Sequence, residues 1–250
     1  MRYLVLSDVH ANLEALEAVL DAADGAWDQA LVLGDLVGYG ADPNAVIERV
    51  RALPVGAIVR GNHDKVAAGL ASVDSFNQVA RQAIEWTAGV LTPANLQWLT
   101  TLPQGPVAID ASTEICHGAP WDEDAYLFDE RDVEREEQAQ RALERPRPLC
   151  LFGHTHVPSI FRLEPSIEAM LPVRGERCRV PMEPGGRYLV NCGAVGQPRD
   201  SDPRAAFGLL DSTTRALTIV RTPYDVLTAQ TKILDAGLPA VLAQRLALGR

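Results

Sequence analysis

Histidine, aspartate and asparagine side chains of this sequence stand just after short apolar runs. The chain has five histidines, and each one follows such a run and lies near a glycine or an aspartate. Two aspartates and one asparagine occupy similar positions. The full set is Asp8, His10, Asp35, Asn62, His63, His117, His154 and His156. Because loops at the carboxyl ends of parallel strands meet at one edge of a sheet, we expect these side chains to share one crevice.

This mixture of side chains is typical of a catalytic metal centre. Carboxylate, imidazole and amide-oxygen donors suit divalent ions such as Mn²⁺, Fe²⁺ or Zn²⁺, and the absence of cysteine from the set argues against a structural zinc site. The donors outnumber those that one ion needs, whereas two ions that share a carboxylate would use them. Two ions about 3.5–4 Å apart can hold a hydroxide and the oxygens of a phosphate. A polar group left uncoordinated can then protonate the leaving oxygen.

Each short motif has an ordinary structural interpretation when it is taken alone. A lone histidine is usually a hydrogen-bonded or surface residue, Asp8-Val9-His10 arises often by chance, and a Gly-Asp pair after a strand is often a turn. The strings at 61–64 (Gly-Asn-His-Asp) and 154–156 (His-Thr-His) are more specific. Their combination, in this order at successive strand ends, favours the metal centre.

The elements that position these residues alternate over the first 65 residues. Apolar runs at 3–6, 30–33 and 55–59 predict strands, and they are separated by helical patterns at 13–20 and 43–50, the second with Asp42 as N-cap. This order predicts parallel pairing with right-handed crossovers. The continuous apolar character of the strands predicts burial on both faces.

The rest of the chain predicts further helices and a strand-rich second half. The predicted helices cover 77–90, 93–100, 224–236 and 239–248. The predicted strands cover 107–109, 114–116, 149–152, 159–163, 187–190, 206–211 and 217–221. Residues 121–145 hold ten acids and four arginines, and we expect a solvated, partly helical flap there, with a cap over the active site as the alternative. No linker divides the chain, so a single domain over 1–250 is predicted.

Composition and charge exclude several classes of protein. Of the 250 residues, 47% are hydrophobic and 22% charged, which excludes global disorder. A net charge of −10 disfavours duplex nucleic acid as a partner, although a local metal site still permits a small phosphate ester. No apolar stretch is long enough for a membrane span or a signal peptide. The cysteines, Cys116, Cys150, Cys178 and Cys192, form no CxxC pair, so we expect free thiols in the cytoplasm.

The ordered motifs resemble those of the calcineurin-like metallophosphoesterase superfamily. The matching strings are Asp8-x-His10, Gly34-Asp35, Gly61-Asn62-His63-Asp64, His117-Gly118 and Gly153-His154-Thr155-His156, which span the chain from Met1 to about Val157. The segment at 191–200 resembles the Asn-Pro-Gly-Ser-Val-Gly segment of the small prokaryotic phosphodiesterase branch. The resemblance implies an α/β fold, a four-layer α-β-β-α sandwich of two mixed sheets flanked by helices, in which the second half of the chain supplies the second sheet.

The resemblance also implies a role for each residue. Asp8, His10 and His156 would hold one metal ion, and Asn62, His117 and His154 would hold a second. Asp35 would bridge the two ions, while His63, left unligated, would protonate the leaving group or steady the phosphate. The implied cofactors are two divalent ions of Mn, Fe, Zn or Ni, with manganese favoured.

The function implied is that of a metal-dependent phosphoric ester hydrolase. It would cleave a phosphodiester or a nucleotide-type phosphate ester through attack by a metal-activated hydroxide. The alternatives are a catalytically silent scaffold or binding protein, which is expected to lose His63 or metal ligands, and a metallohydrolase of a non-phosphate ester. The expected partner is a small phosphate-ester or nucleotide substrate, without duplex nucleic acid or membrane, and a homo-oligomer is left open.

The sequence departs from the resemblance in two places. Where the protein Ser/Thr phosphatase branch carries Gly-Asp-x-Val-Asp-Arg-Gly, Gly38 and Tyr39 replace the acid that supports the catalytic histidine and the arginine that binds phosphate. This disfavours a phosphoprotein substrate and leaves Asp64 as the adjacent candidate to orient His63. At 191–200, Cys192 and Ala194 replace the usual proline and serine but are not predicted ligands.

Overall fold

The computed structural model describes residues 1–171 and 173–250, in which twelve strands form two six-stranded mixed sheets. The strands are β1 (Arg2–Leu6), β2 (Gln29–Val32), β3 (Val55–Ile58), β4 (Val107–Ala108), β5 (Thr113–Ile115), β6 (Leu149–Phe152), β7 (Ser159–Arg162), β8 (Glu168–Met170), β9 (Arg177–Arg179), β10 (Tyr188–Asn191), β11 (Ala205–Asp211) and β12 (Ala216–Thr222). The helices are α1 (Leu13–Ala22), α2 (Pro43–Arg51), α3 (Asn62–Ala67), α4 (Gln78–Val90), α5 (Pro93–Leu99), α6 (Glu130–Glu134), α7 (Glu136–Glu144), α8 (Val226–Asp235) and α9 (Ala240–Leu246).

The first 60 residues form the predicted β-α-β-α-β unit. Strands β1, β2 and β3 pair in parallel. Helix α1 begins after Asn12, whose side chain accepts a hydrogen bond from the Ala15 amide, and α2 begins with Pro43 at its first position. Asp42 precedes α2 as predicted, but its carboxylate accepts from Lys232 (2.8 Å) instead of capping the helix. Both helices end where their apolar spacing ends.

The two sheets pack face to face between outer helices. Alternate residues of β1 point to opposite sides: Leu4 and Leu6 belong to the core under α1 and α2, while Tyr3 and Val5 belong to the core between the sheets. On the far side of the second sheet, Val133 and Ala142 of α6 and α7 join a third core. The predicted four-layer α-β-β-α arrangement of two mixed sheets is therefore confirmed.

One part of the predicted topology is wrong. The first sheet has the order β3-β2-β1-β11-β12-β9, and the second has the order β4-β5-β6-β10-β7-β8. Strands β11, β12 and β9, from the second half of the chain, therefore complete the first sheet and not the second. The reason is that β1 has a free side, and β11 pairs with it in antiparallel register from Arg2↔Asp211 to Val5↔Gly208.

Burial on both faces holds for β1 but not for β3. The residues of β3 are half-buried, and Gly56 is exposed, because this strand forms the edge of its sheet and has a neighbour on one side only. Helix α3 and the short strands β8 and β9 have no counterpart among the predicted elements. No helix in the described ranges combines the length and the apolar character that a membrane crossing requires.

Candidate metal centre

The eight residues singled out by the sequence meet at one end of the two sheets. Each lies in the loop, or at the first turn of the helix, that follows the carboxyl end of a strand. Asp8 and His10 follow β1, Asp35 follows β2, Asn62 and His63 follow β3, His117 follows β5, and His154 and His156 follow β6. Because β1–β3 belong to one sheet and β5–β6 to the other, the crevice lies where both sheets end.

Asp8, His10, Asp35 and His156 form a first group of buried donors. One donor atom from each lies within 4.8 Å of the others. The Nε2 atom of His10 lies 3.5 Å from Oδ2 of Asp35, and Nε2 of His156 lies 3.5 Å from Oδ1 of Asp8. Two carboxylates and two imidazoles at this spacing suit a borderline divalent ion.

Asp35, His117 and His154 form a second group, in which one donor atom from each residue again lies within 4.8 Å of the others. Asp35 therefore belongs to both donor groups. Oδ2 of Asp35 lies 3.4 Å from Nε2 of His117. The amide oxygen of Asn62 lies 3.2 Å from the same Nε2 atom and adds a fourth donor. The arrangement offers two adjacent sites that share one carboxylate, with histidine nitrogens and an amide oxygen as the other donors around the second.

Hydrogen bonds to backbone carbonyls fix three of the histidine rings. In each ring Nδ1 faces the carbonyl and must carry a proton, so Nε2 is the nitrogen that faces the crevice as a potential ligand. The three bonds are His10 Nδ1 to the Val37 oxygen (3.0 Å), His117 Nδ1 to the Leu33 oxygen (2.7 Å) and His156 Nδ1 to the Gln197 oxygen (2.6 Å). These outer contacts orient the nitrogen atoms as metal ligands are usually oriented.

The contact between His10 and His156 tests whether these residues fit a cation. Their Nε2 atoms lie 3.1 Å apart, and the rings stack with centroids 4.8 Å apart. Because Nδ1 is the protonated atom in both rings, two lone pairs face each other. Only a positive charge beside both nitrogens makes this arrangement favourable, so the donor set fits a metal ion.

Burial keeps most of the imidazoles in the neutral form that binds metals. It lowers the pKa of His10 and of His156 well below the usual value, and it lowers the pKa of His154 to about 3. Burial opposes the charged form of His117 as well, but the Asp35 and Asp8 carboxylates outweigh it and raise its pKa to about 10. In the metal-free protein, His117 therefore carries a proton that an incoming ion must displace.

The backbone at five of the predicted ligands is left-handed. The φ angles are +53° at Asp8, +48° at His10, +52° at Asp35, +68° at His154 and +60° at His156. Such angles are uncommon for residues with a side chain and cost about 1–3 kcal/mol each when the rest of the structure imposes them. Their concentration in one crevice is typical of a functional site, where the fold holds side chains in a required geometry.

His63 lies beside both donor groups but belongs to neither. Its ring contacts His10, Tyr39 and Phe76, with centroid distances of 4.8, 4.4 and 4.9 Å. Its Nδ1 atom is buried and has no hydrogen-bond partner among the described residues. A Cβ atom at Gly38 would lie 2.3 Å from that nitrogen, so glycine at 38 makes room for the ring. Burial lowers the pKa of His63 to about 4.

Asp64 does not orient His63, contrary to the candidate role given by the sequence. Its carboxylate accepts hydrogen bonds from the backbone amides of Leu36 (2.9 Å), Val37 (3.2 Å) and Gly61 (3.0 Å). The side chain is fully buried and joins the loop after β2 to the loop after β3. Aromatic packing therefore orients the His63 ring, and Asp64 holds the two loops together.

The acidic segment at 121–145 reaches the crevice with its first residues. Glu123 pairs with Arg60 (3.2 Å) and Lys65 (3.0 Å), and this contact docks the segment against α3. The Asp124 carbonyl lies 3.2 Å from Nε2 of His154, and the Tyr126 ring stacks on the same imidazole at 3.8 Å. Thus 123–126 form one wall of the site, while α6 and α7 pack on the outer face of the second sheet.

A cleft of about 290 Å³ opens beside the donor groups. Polar side chains of Asn62, His63 and Lys65 line it together with the rings of Phe76 and Tyr126. The volume of the cleft suits a small organic ester. The sequence did not predict Phe76 or Tyr126, because isolated aromatic residues outside a motif carry no spacing signal.

Arg199 is a further residue that the motifs did not reveal. Its guanidinium carbon lies 5.7 Å from the centre of the Tyr39 ring, which itself contacts His10 with centroids 4.6 Å apart. Its one signal in the sequence is its place in the 191–200 segment, and the resemblance of that segment assigns no role to this side chain. The four cysteines are free, and none belongs to a donor group within the described residues.

The chain is similar to known proteins along almost its whole length. The model of the calcineurin-like phosphoesterase superfamily domain matches residues 1–215. The uncharacterized protein MJ0912 of Methanocaldococcus jannaschii is 35% identical, over 98% of this chain and 97% of its own length. A crystal structure of a metallophosphoesterase from Sphaerobacter thermophilus is 40% identical with a TM-score of 0.83, covering 100% of this chain and 99% of that one.

A more distant structure shares the fold alone. The hypothetical protein PH1004 from Pyrococcus horikoshii OT3 is 18% identical with a TM-score of 0.77, over 100% of this chain and 98% of that chain. The arrangement of two sheets and outer helices is therefore kept where most of the sequence has changed.

Proposed function

The chain belongs to the calcineurin-like phosphoesterase superfamily, and on that basis we propose that it hydrolyses a phosphodiester or a nucleotide-type phosphate ester with two divalent metal ions. The observation that carries the proposal is the pair of donor groups that share Asp35. A shared carboxylate between two sets of nitrogen and oxygen donors is the arrangement that a dinuclear hydrolase requires.

Each protein group has a distinct task in this proposal. Asp8, His10 and His156 would hold one ion, Asn62, His117 and His154 would hold the other, and Asp35 would be shared by both. When bound, the ions lower the pKa of a water ligand and neutralise charge on the phosphate oxygens. The chain itself fixes the positions of these donors through the carbonyl contacts of Val37, Leu33 and Gln197.

His63 acts on the substrate and not on a metal. The pKa of His63 is about 4, so its imidazole is neutral at pH 7 in the substrate-free protein. When substrate binds, the N–H group of the neutral ring can donate a hydrogen bond to a phosphate oxygen. A bound anionic ester favours the imidazolium form, which can protonate the leaving oxygen. The aromatic contacts of Tyr39 and Phe76 hold the ring in place for either task.

The form of the cleft supports a small substrate. Its volume of about 290 Å³ suits a nucleotide-sized ester. One wall of the cleft comes from the start of the acidic segment, and this wall disfavours a long polyanion. We also propose that residues 1–250 act as one domain and that the two divalent ions are Mn, Fe, Zn or Ni, with manganese favoured. The free thiols favour the cytoplasm as its location.

A metal-reconstitution assay tests the proposal. The purified protein is stripped with a chelator and loaded with Mn²⁺, Fe²⁺, Zn²⁺ or Ni²⁺, and hydrolysis of bis-p-nitrophenyl phosphate, a nucleotide panel and p-nitrophenyl acetate is compared. We expect Mn²⁺-dependent hydrolysis of phosphate esters that the chelator abolishes. Metal binding without any hydrolysis would favour the silent scaffold, and faster hydrolysis of the acetate than of the phosphates would favour a non-phosphate esterase.

A further inference from the structure

A second pocket lies beside the loop that carries His154 and His156, with Thr155 in its lining. It has a volume of about 230 Å³ and is lined by Leu127, Phe128, Thr155, Ser159, Arg199 and Asp200, among others. We call it the Phe128 pocket. It is separated from the cleft by two aromatic rings, since Tyr126 of the cleft stacks on Phe128 with centroids 5.2 Å apart and planes within 6°. The cleft and the Phe128 pocket therefore lie next to each other, with this pair of rings between them.

Arg199 stands at the boundary between these pockets. It lines the Phe128 pocket, while its guanidinium lies over the ring of Tyr39, which lines the cleft. The same Tyr39 ring contacts His63 on the cleft side, at 4.4 Å between centroids. A ligand that occupied both pockets and passed beside Tyr39 would therefore lie close to this guanidinium.

The guanidinium of Arg199 lacks an acidic partner. No carboxylate oxygen among the side chains that the structure describes lies within 4.0 Å of it, and the neighbouring Asp200 pairs instead with Arg221. The guanidinium donates one hydrogen bond from Nη2 to the neutral side-chain oxygen of Gln197 (3.0 Å). In a protein of net charge −10, an arginine left without an acid beside a metal centre is suited to bind an anion.

The loop that carries Arg199 is held from both ends. The buried pair of Asp200 and Arg221 fixes one side, with side chains that are 2% and 1% exposed. On the other side the Gln197 carbonyl faces Nδ1 of His156 (2.6 Å). One short segment therefore positions both a predicted metal ligand and the unpaired guanidinium.

The walls of the Phe128 pocket suit an organic group with polar atoms. Leu127, Phe128 and Leu171 supply apolar surface. Ser159 and Asp200 supply side chains with an oxygen that has no hydrogen-bond partner among the described residues, and both residues are at least nine-tenths buried. Apolar walls with a few polar groups are typical of a site for a small aromatic or nucleoside-like group.

We propose that the Phe128 pocket is a subsite for the second ester group of a phosphodiester, and that Arg199 binds the phosphate between this pocket and the cleft. The substrate class is then a diester with an organic group on each side of the phosphorus. This inference rests on the proposed function, because it places the phosphate at the predicted metal centre. In this proposal the arginine that binds phosphate lies in the loop after β10. In the protein Ser/Thr phosphatase branch the corresponding arginine would lie in the loop after β2, at the position of Tyr39.

Phosphate binding tests the role of Arg199. Inorganic phosphate is titrated calorimetrically into Mn²⁺-loaded wild type, Arg199→Ala, Arg199→Lys and the control Arg204→Ala, in which the lost arginine pairs with Asp202 (2.7 Å) in the same region. We expect Arg199→Ala to weaken binding about 10–100-fold with metal content unchanged, and Arg199→Lys to recover part of it. Equal affinity in wild type and Arg199→Ala would overturn the assignment.

Ligand size tests the subsite. Diphenyl phosphate and phenyl phosphate are titrated into Mn²⁺-loaded protein in a His63→Ala background, which slows turnover, with and without Phe128→Ala. Phe128 is 56% exposed, so its loss should leave the fold intact. Met170→Ala, at a residue that is 47% exposed beside a different pocket, is the matched control.

We expect Phe128→Ala to weaken the diester about 10-fold and the monoester less than about 2-fold, while the control changes neither. Equal effects on both ligands, or none on the diester, would overturn the subsite. Because this readout is binding, it stays decisive if the wild type hydrolyses no ester. A wild type that hydrolyses no ester would contradict the proposed function, but it would not contradict the assignment of the Phe128 pocket as a subsite.

Discussion

The peptide nitrogen of His63 donates a hydrogen bond to Oδ1 of Asp35 over 2.9 Å. Oδ2 of the same carboxylate faces Nε2 of His10 at 3.5 Å and Nε2 of His117 at 3.4 Å. One side chain thus joins both donor groups and also fixes the turn that carries His63. The histidine proposed to act on the substrate is therefore held at a set position relative to the two proposed metals.

Replacing His63 should separate catalysis from metal binding. His63→Ala is expected to lower kcat by about 10²–10⁴-fold while two metal ions stay bound, because the ring belongs to neither donor group. If the ring protonates the leaving oxygen, the loss should be smaller for p-nitrophenolate, which leaves without a proton, than for an alkoxide. The measurement is kcat on a p-nitrophenyl ester and an alkyl ester, with metal analysis of each preparation.

Two other results would revise the role of His63. An equal loss on both leaving groups would indicate electrostatic stabilisation of the phosphate in place of proton transfer. Loss of one metal equivalent would make His63 a ligand and contradict its separation from the donor groups.

Asp64 should matter for stability and not for chemistry. Asp64→Ala leaves the amides of Leu36, Val37 and Gly61 buried without acceptors, and each unpaired amide costs about 1–3 kcal/mol. We expect the free energy of unfolding of the metal-free protein to fall by at least about 3 kcal/mol in urea titrations.

Two variants control for the removal of a carboxylate. Asp64→Asn keeps an acceptor oxygen for part of the amide set and should lose roughly half as much stability. Asp74→Ala removes an acid whose side chain is 82% exposed and should change stability by less than about 0.5 kcal/mol. An Asp64→Ala protein as stable as Asp74→Ala would show that the three amide contacts do not hold the loops.

Much of the fold was predictable because its signals are local. The alternating strands and helices before residue 60 follow from apolar runs and from Pro43 at a helix start, all within short windows of sequence. The place of β11 beside β1 was not predictable, because antiparallel pairing between distant segments leaves no periodic trace in either one. Nor does hydrophobicity alone show that β3 lies at an edge.

The candidate site also has residues that the sequence could predict and residues that only the fold reveals. The predicted ligands stand at strand ends within recognisable strings, so residue type and order were enough to bring them together. Arg199 reaches Tyr39 only through the fold, and it has no motif of its own beside the metal strings. The role of Asp64 was misjudged because adjacency in sequence says nothing about direction, and its carboxylate turns to backbone amides.

The four cysteines should be dispensable for metal binding. Cys116, Cys150 and Cys192 are buried, and the Sγ atoms of the first two lie 3.5 Å apart, yet neither donor group includes a thiol. Changing all four cysteines to alanine should cost stability through lost packing but leave the metal content unchanged. Metal analysis of the variant checks this, and the loss of one equivalent would reveal a thiolate ligand.

The metal content of wild type and Asp35→Asn tests the central claim most directly. Both proteins are stripped, reconstituted with Mn²⁺ and analysed by elemental mass spectrometry alongside hydrolysis of bis-p-nitrophenyl phosphate. Because Asp35 belongs to both donor groups, we predict two equivalents in the wild type and a joint loss of metal and activity in Asp35→Asn. An Asp35→Asn protein that retains two equivalents and full turnover would contradict the shared-carboxylate centre.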